Sequence, residues 1–119
     1  WQMVGDKWFF FASNGVMKTG WLHTSGTWYY LDPSGSMHTG WLQMSGRWYM
    51  MDDNGAMVIG WKHIGKSWYY FDASGVMHTG WLQLGSTWYY FGPGGDMFTG
   101  GHWIGWRWYS FDSSGQWLG

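Results

Sequence analysis

"GTWYYLDPSGSMHTGW", residues 26–41, decides the fold of this chain, because nearly the same letters return at a period of twenty residues. Similar stretches are "SWYYFDASGVMHTGW" at 67–81 and "TWYYFGPGGDMFTGG" at 87–101. A fixed period of this length indicates a solenoid whose units bury their surfaces against one another. We therefore expect one module over residues 1–119, with repeats 1–20, 21–40, 41–60, 61–80, 81–100 and an atypical 101–119.

Each repeat carries a strand pattern followed by a turn pattern. Position 8 is Trp and position 15 is Gly in all six repeats. Positions 8–11, as in Trp28 to Leu31, are aromatic or β-favouring, and Asp32-Pro33-Ser34-Gly35 suits a type I turn. This predicts an all-β solenoid of stacked hairpins in which a second strand returns from position 16, with position 11 opposite position 16. The stretch from position 20 to position 7 of the next repeat is expected to be irregular.

The composition excludes several function classes. The net charge is -1 and the six basic residues are scattered, so nucleic acid is not an expected partner. No run of about 18 apolar residues is present, which argues against membrane insertion. The absence of cysteine excludes disulfides and thiolate metal sites.

No catalytic or metal-binding pattern stands out. The carboxylates that recur in register lie at turn position 12, where a turn explains them: Asp32, Asp52, Asp72 and Asp112. The histidines (His23, His38, His63, His78 and His102) have no metal-ligand spacing and are expected to face solvent. We therefore expect a chain that is not an enzyme and that needs no cofactor or metal.

The rings divide into two groups. Positions 9 and 11 are expected to form the core: Tyr29, Leu31, Tyr69, Phe71, Tyr89 and Phe91. Positions 1, 8 and 10 are expected to bind a ligand, because Trp is rarely fully buried and its N–H needs a partner. Two Trp, a Tyr and a Met without a nearby carboxylate suit a quaternary ammonium ion, whose charge is attracted to ring faces.

The pattern G-W-x6-W-Y-Y-[FL]-D-x-S-G-x-M-x-T-G-W, complete in residues 20–41 and 60–81, resembles the choline-binding repeats of pneumococcal and phage cell-wall proteins. The resemblance extends over essentially the whole chain. It implies a left-handed superhelix of hairpins in which two Trp of one repeat and an aromatic residue of the next hold each ligand.

Carried over by residue, the resemblance implies three cages: Trp1, Trp8 and Tyr30; Trp41, Trp48 and Tyr70; and Trp61, Trp68 and Tyr90. Met17, Met57 and Met77 are expected as fourth walls, although facing alone would also allow a Met from the following repeat. Two junctions are expected to be weak or empty, because Trp21 and Trp28 would meet Met50, and Trp81 and Trp88 would meet Ser110.

The resemblance implies a secreted attachment module on a Gram-positive cell wall. It would bind choline on teichoic or lipoteichoic acid and anchor a catalytic or adhesive domain outside this chain. The last repeat has Gly101 in place of Trp and adds Trp103, Trp106 and Trp117, which suits an end cap or a homodimer edge. Two alternatives are a module that stacks glucan or another carbohydrate on the same rings, and a structural spacer or self-association stalk.

Overall fold

Six antiparallel hairpins, each made of two consecutive strands, form the chain. A computed structural model describes all 119 residues, which divide into two compact units, Trp1–Val58 and Ile59–Gly119. The first unit contains β1 (Gln2–Val4), β2 (Lys7–Phe9), β3 (Gly20–Thr24), β4 (Thr27–Leu31), β5 (Gly40–Met44) and β6 (Arg47–Met51). The second contains β7 (Gly60–Ile64), β8 (Ser67–Phe71), β9 (Gly80–Leu84), β10 (Thr87–Phe91), β11 (Gly100–Ile104) and β12 (Arg107–Phe111). The predicted all-β hairpin repeat is confirmed, and the chain has no helix long and apolar enough to cross a membrane.

The strand that pairs with positions 7–11 comes before them, and the prediction that it follows them is wrong. Strand β3 pairs with β4, so that Trp21 lies opposite Tyr30 and His23 lies opposite Trp28. The stretch expected to be irregular is therefore the first strand of each hairpin. After the turn, the chain forms only an isolated bridge, between Leu31 and Met37, which joins position 11 to position 17 instead of 16.

Two-residue loops close the hairpins and explain this pairing. Ser25 and Gly26 both have positive φ, at 53° and 78°, as a type I′ turn requires, and Ser45 and Gly46 repeat the pattern. The other four loops have Gly at the first position with φ of 62° to 65°, which suits a type II′ turn: Gly5, Gly65, Gly85 and Gly105. The twist of these turns matches that of paired strands, so they close a tight hairpin.

The predicted turn at positions 12–15 does form, but it connects one hairpin to the next. The Gly35 N–H donates to the Asp32 carbonyl at 2.8 Å. The Asp32 carboxylate accepts hydrogen bonds from the Ser34 and Ser36 N–H groups at 3.0 and 3.1 Å, and from both hydroxyls. Asp52, Asp72 and Asp112 accept the equivalent backbone bonds, so the structural role assigned to these carboxylates is confirmed.

Position 11 forms the core. Its side chains are at most 3% exposed in five of the six repeats: Leu31, Met51, Phe71, Phe91 and Phe111. Within each unit, backbone hydrogen bonds of 2.8–2.9 Å link neighbouring repeats, from the N–H of position 17 to the carbonyl of position 8 in the preceding repeat: Met37 to Trp8, Met57 to Trp28, Met97 to Trp68 and Trp117 to Trp88. These bonds fix the position of each hairpin relative to the preceding one.

Gly95 is expected to be irreplaceable for two reasons. Its φ is +88°, and a Cβ there would overlap the side chain of Met77 in the preceding repeat. We predict that Gly95→Ala lowers the free energy of unfolding by about 2–4 kcal/mol, through backbone strain and overpacking. Gly85→Ala is the control, because its φ is +63° but its Cβ would meet nothing, and it should cost about 1 kcal/mol. Urea unfolding measures both variants. Equal losses of unfolding free energy in Gly95→Ala and Gly85→Ala would show that the contact with Met77 does not contribute.

Asp32 should make the stability of the chain depend on pH in the acid range. Hydrogen bonds from the Ser34 and Ser36 hydroxyls lower the pKa of Asp32 from 3.8 to about 2. A lowered pKa means that the ionised carboxylate stabilises the fold above pH 4, and that this contribution is lost as the pH falls through 2. We therefore expect wild type to lose more stability than Asp32→Asn between pH 4 and pH 2. Thermal unfolding at pH 4 and pH 2 measures the difference, and equal losses for wild type and Asp32→Asn would contradict the prediction.

Candidate ligand-binding clefts

Strand alternation gives every hairpin two different faces. The front face carries positions 1, 3, 8 and 10, because position 1 is paired with position 10 and position 3 with position 8. The back face carries positions 9 and 11. In the second repeat the front face therefore contains Trp21, Trp28 and Tyr30, and the back face contains Tyr29 and Leu31.

The front face of one hairpin packs against the back face of the next within each unit. Trp1 lies edge-on to Tyr29 with ring centroids 4.9 Å apart, and Trp21 meets Tyr49 in the same way at 5.1 Å. In the second unit Trp61 contacts both Tyr89 and Phe91, at 5.0 and 5.7 Å. Position 9 thus packs on the Trp at position 1 of the preceding repeat.

The two Trp of a repeat form a corner. Their rings are nearly perpendicular, at 82° to 89°, with centroids 6.0–6.3 Å apart, in four repeats: Trp21 and Trp28, Trp41 and Trp48, Trp61 and Trp68, and Trp81 and Trp88. The position-8 rings of these pairs are 37% to 44% exposed. They are not core residues, and more than a third of the surface of each remains exposed.

The first cleft, here named the Trp1 cleft, lies in the first unit. Trp1 and Trp8 form two walls, and Tyr29 and Met37 of the next repeat form the others. The cleft measures about 310 Å³, and Asp53 and Asn54, from the turn one repeat further on, also line it. A carboxylate on an aromatic cleft adds a charge that favours a cation.

The second unit contains two further clefts. The Trp61 cleft is lined by Trp61, Trp68, Tyr89 and Met97, with Ser113 and Ser114 from the following turn, and measures about 450 Å³. The Trp81 cleft, of about 330 Å³, is lined by Trp81, Trp88, Tyr109, Trp117 and Arg107. All three clefts share two Trp from one repeat and one Tyr from the next.

Tyr30 and Tyr90, which the resemblance assigned to the cages of Trp1 and Trp61, are not among the residues that line those two clefts. Tyr30, Tyr70 and Tyr90 lie on the front face of their own hairpins, where each packs edge-on to the Trp it is paired with at 5.1–5.3 Å. Tyr29 and Tyr89, at position 9, line these clefts in addition to packing on Trp1 and Trp61, and which rings hold a ligand stays a prediction. Strand alternation could have predicted this placement from the sequence. Position 10 lies on the same face as the Trp of its own hairpin, which is opposite to the face that meets the preceding repeat.

The methionine walls also come from the following repeat. Met37 and Met97 line the Trp1 and Trp61 clefts. Like Met17 and Met77, they also lie against the glycine at position 15 of the next repeat. Met57 is placed beside Trp28 by its backbone hydrogen bond.

The two junctions expected to be degenerate keep their rings. Met50 and Ser110 lie opposite Trp41 and Gly101 on the front faces of their own hairpins, so neither replaces a cleft residue. The rings that meet Trp21 and Trp81 are Tyr49 and Tyr109, at 5.1 and 5.0 Å. The reason for expecting weak sites there is removed.

The last repeat fills the space that its missing Trp leaves. The Trp108 ring lies over Gly101, so closely that a Cβ on Gly101 would overlap it. Trp103 packs edge-on to Trp108 at 5.4 Å, and Trp106 is fully exposed in the hairpin loop. Trp117 occupies position 17, where other repeats have Met, and belongs to the Trp81 cleft.

The histidines have structural contacts. His38 and His78 lie within hydrogen-bonding distance of the Trp41 and Trp81 carbonyls, both at 2.8 Å, and are only partly exposed, so the expectation of solvent-facing rings is wrong for them. His23 stacks on Trp28 at 4.6 Å. No three His or acidic side chains are grouped to hold a metal. Besides ring faces, each cleft has one or two polar or charged lining residues: Asp53 and Asn54, Ser113 and Ser114, or Arg107.

Stacked β-hairpins with aromatic corners open between successive repeats define a repetitive binding module. The family model described as "Choline-binding repeat" matches residues 1–39, 19–59 and 58–102. The chain belongs to this family. A comparison with curated proteins gives no match.

Solved structures agree with this assignment. The chain is 45% identical to choline binding protein F from Streptococcus pneumoniae, with a TM-score of 0.92 over 94% of this chain and 38% of that one. It is also 45% identical to CbpJ from Streptococcus pneumoniae TIGR4, with a TM-score of 0.97 over 99% of this chain and 41% of that one. A multimodular pneumococcal cell wall endolysin from phage Cp-1, solved with choline, is 34% identical, with a TM-score of 0.62 over 94% and 37%. The chain thus spans about two fifths of the length of these relatives.

Proposed function

We propose that this chain is a non-catalytic attachment module that binds the choline groups of teichoic or lipoteichoic acid in the clefts between its repeats. The observation that carries the proposal is the corner of Trp61 and Trp68, whose rings are nearly perpendicular at 82° and which Tyr89 of the next repeat closes. A quaternary ammonium has no N–H to donate, so it is recognised by ring faces and apolar walls instead of hydrogen bonds. The thioethers of Met37 and Met97 suit its methyl groups.

Attachment would depend on several clefts acting together. A cation over a ring face contributes about 0.5–2 kcal/mol, and a millimolar site corresponds to only about 4 kcal/mol. One cleft is therefore too weak to hold a protein on a cell wall. A polymer that bears choline on successive units can engage several clefts at once, and the second and later contacts become intramolecular. The regular repeat suits such a polymer.

The relatives support a location on the cell wall of a Gram-positive bacterium. Choline binding protein F was solved in the presence of a peptidoglycan analogue, and the phage Cp-1 protein is described as a pneumococcal cell wall endolysin. Since those proteins are more than twice as long as this chain, we propose that the module anchors a catalytic or adhesive domain to the wall.

A titration of choline against position-matched variants tests the proposal. Tyr89→Leu removes a cleft ring and should weaken choline binding at the Trp61 cleft by about 2- to 30-fold. Tyr90→Leu removes a ring from the other face and should leave that cleft within about two-fold of wild type. Trp fluorescence and near-UV circular dichroism report total binding, and the indole N–H resonances of Trp61 and Trp68 report this cleft.

The controls separate the alternatives. Sodium chloride at the same concentration accounts for ionic strength, and the unfolding midpoint of each variant accounts for stability. Saturation with glucose oligomers but not with choline would favour a carbohydrate module. Silence to both ligands would favour a structural stalk.

We also propose that the last hairpin pairs with a second copy of the chain. Trp106 is fully exposed and Trp103 is 68% exposed, which is unusual for rings that have no role. Trp106→Ser is expected to shift the chain from dimer to monomer in sedimentation velocity, while leaving the choline response of the Trp1 cleft unchanged. A wild-type chain that sediments as a monomer at 100 μM, taken as roughly the upper end of useful affinities for such a contact, would contradict this proposal.

A further inference from the structure

The Trp81 cleft differs from the other two because a positively charged residue lines it. The Trp1 cleft has Asp53 and the Trp61 cleft has Ser113 and Ser114, whereas the Trp81 cleft has Arg107. No carboxylate is among the residues that line the Trp81 cleft. The cleft therefore combines ring faces that attract a cation with a permanent positive charge of the chain itself.

Arg107 reaches the ring that completes the cleft. Its guanidinium carbon lies 5.5 Å from the centroid of Tyr109, within the range of a cation–π contact. The contact follows from the strand, because Arg107 and Tyr109 are two residues apart on β12 and share the back face. Tyr109 is also the ring that packs edge-on to Trp81 at 5.0 Å.

The walls of this cleft are otherwise complete. Trp81 and Trp88 form the usual corner, at 6.2 Å and 83°. Trp117 replaces the Met of other clefts and lies 6.1 Å from Trp81 and 6.2 Å from Tyr109. A fourth ring in place of a thioether would make the cleft a better cation site than the others if Arg107 were absent, because each added ring face attracts positive charge.

We propose that the Arg107 guanidinium acts as the resident cation of the Trp81 cleft and keeps that cleft closed to quaternary ammonium ligands. This inference rests on the proposed function, since it assumes that the Trp61 cleft binds choline. A second cation beside Tyr109 would meet like charge repulsion at short range and would compete for the same ring face. Arg107 is thus a specificity-determining residue that limits the number of choline sites.

The experiment compares two clefts of the same chain in one titration. In wild type, we expect choline to shift the indole N–H resonances of Trp61 and Trp68 with a midpoint about ten-fold lower than that for Trp81 and Trp88. Arg107→Thr gives the last hairpin the residue type that stands at position 7 beside Tyr89, namely Thr87. In that variant the Trp81 and Trp88 resonances should titrate at least as readily as those of Trp61, and the number of bound choline molecules should rise by one.

Two further variants provide matched controls. Arg47→Thr removes the same charge from the same position of another hairpin and should leave the Trp81 cleft closed. Arg107→Lys keeps the positive charge and should also leave it closed, with at most about a three-fold change. The unfolding midpoint of each variant confirms that the last hairpin is folded, and the wild-type comparison of the two clefts stands even where a variant is unstable.

Several outcomes would overturn the inference. Equal midpoints for the Trp61 and Trp81 clefts in wild type would contradict it, as would an unchanged Trp81 cleft in folded Arg107→Thr. Tighter binding of phosphocholine than of choline at the wild-type Trp81 cleft would mean that Arg107 binds an anionic group instead of filling the site. A chain in which no Trp resonance responds to choline would refute the proposed function itself, which is a separate result.

Discussion

A hairpin with two apolar faces and no polar one is the constraint on which this structure depends. Each hairpin has at least one Trp on its front face, and its back face has an aromatic residue at position 9 and an apolar residue at position 11. A hairpin of this kind is stable only where neighbours cover both faces. On the back face, the side chain at position 11 is buried by its neighbours, as the fully buried Phe91 shows. The front face is covered only in part, because two large perpendicular rings cannot be packed flat under one neighbouring hairpin. The clefts are the space that remains between the partly covered rings. The packing that stabilises the fold therefore also forms the clefts.

The sequence was sufficient to predict the class of fold and the Trp residues that form the corners. It was not sufficient to predict which two strands pair in each hairpin. The Asp-x-Ser-Gly turn is conspicuous because it uses a side chain, Pro and Gly together, as in Asp32 to Gly35. The loop that closes the hairpin is only Ser25-Gly26, and its signal lies in two positive φ values that few residues tolerate. Both turns form. The shorter one closes the paired strands because its twist matches theirs.

The difference between the cage residues expected from the resemblance and the residues that line the clefts has a related cause. Period 20 places Tyr29 and Tyr30 side by side in the sequence, and a one-residue difference in a strand moves a side chain to the opposite face. Tyr30 is paired with Trp21 of its own hairpin, and only Tyr29 can meet Trp1 of the preceding repeat. Resemblance identified an aromatic residue of the next repeat, but register decides which one. Register is set by the loop at residues 25–26, so a hairpin assigned to the wrong turn also changes which Tyr is expected to face the preceding repeat.

Repeats that share a backbone need not share a ligand affinity. Strand pairing and the hydrogen bond from the N–H of position 17 to the carbonyl of position 8 in the preceding repeat place the two Trp of a corner. Both features also stabilise the hairpins themselves. Residues at positions 7, 13 and 14 of the repeats that follow differ from one cleft to the next, and the charge beside the rings differs with them. Asp53 favours a cation in one cleft, whereas Arg107 opposes one in another that has an additional ring, Trp117. Under the proposed function, binding to a polymer multiplies the contributions of its sites, so a single guanidinium at one cleft would change the avidity of the whole module without altering its fold.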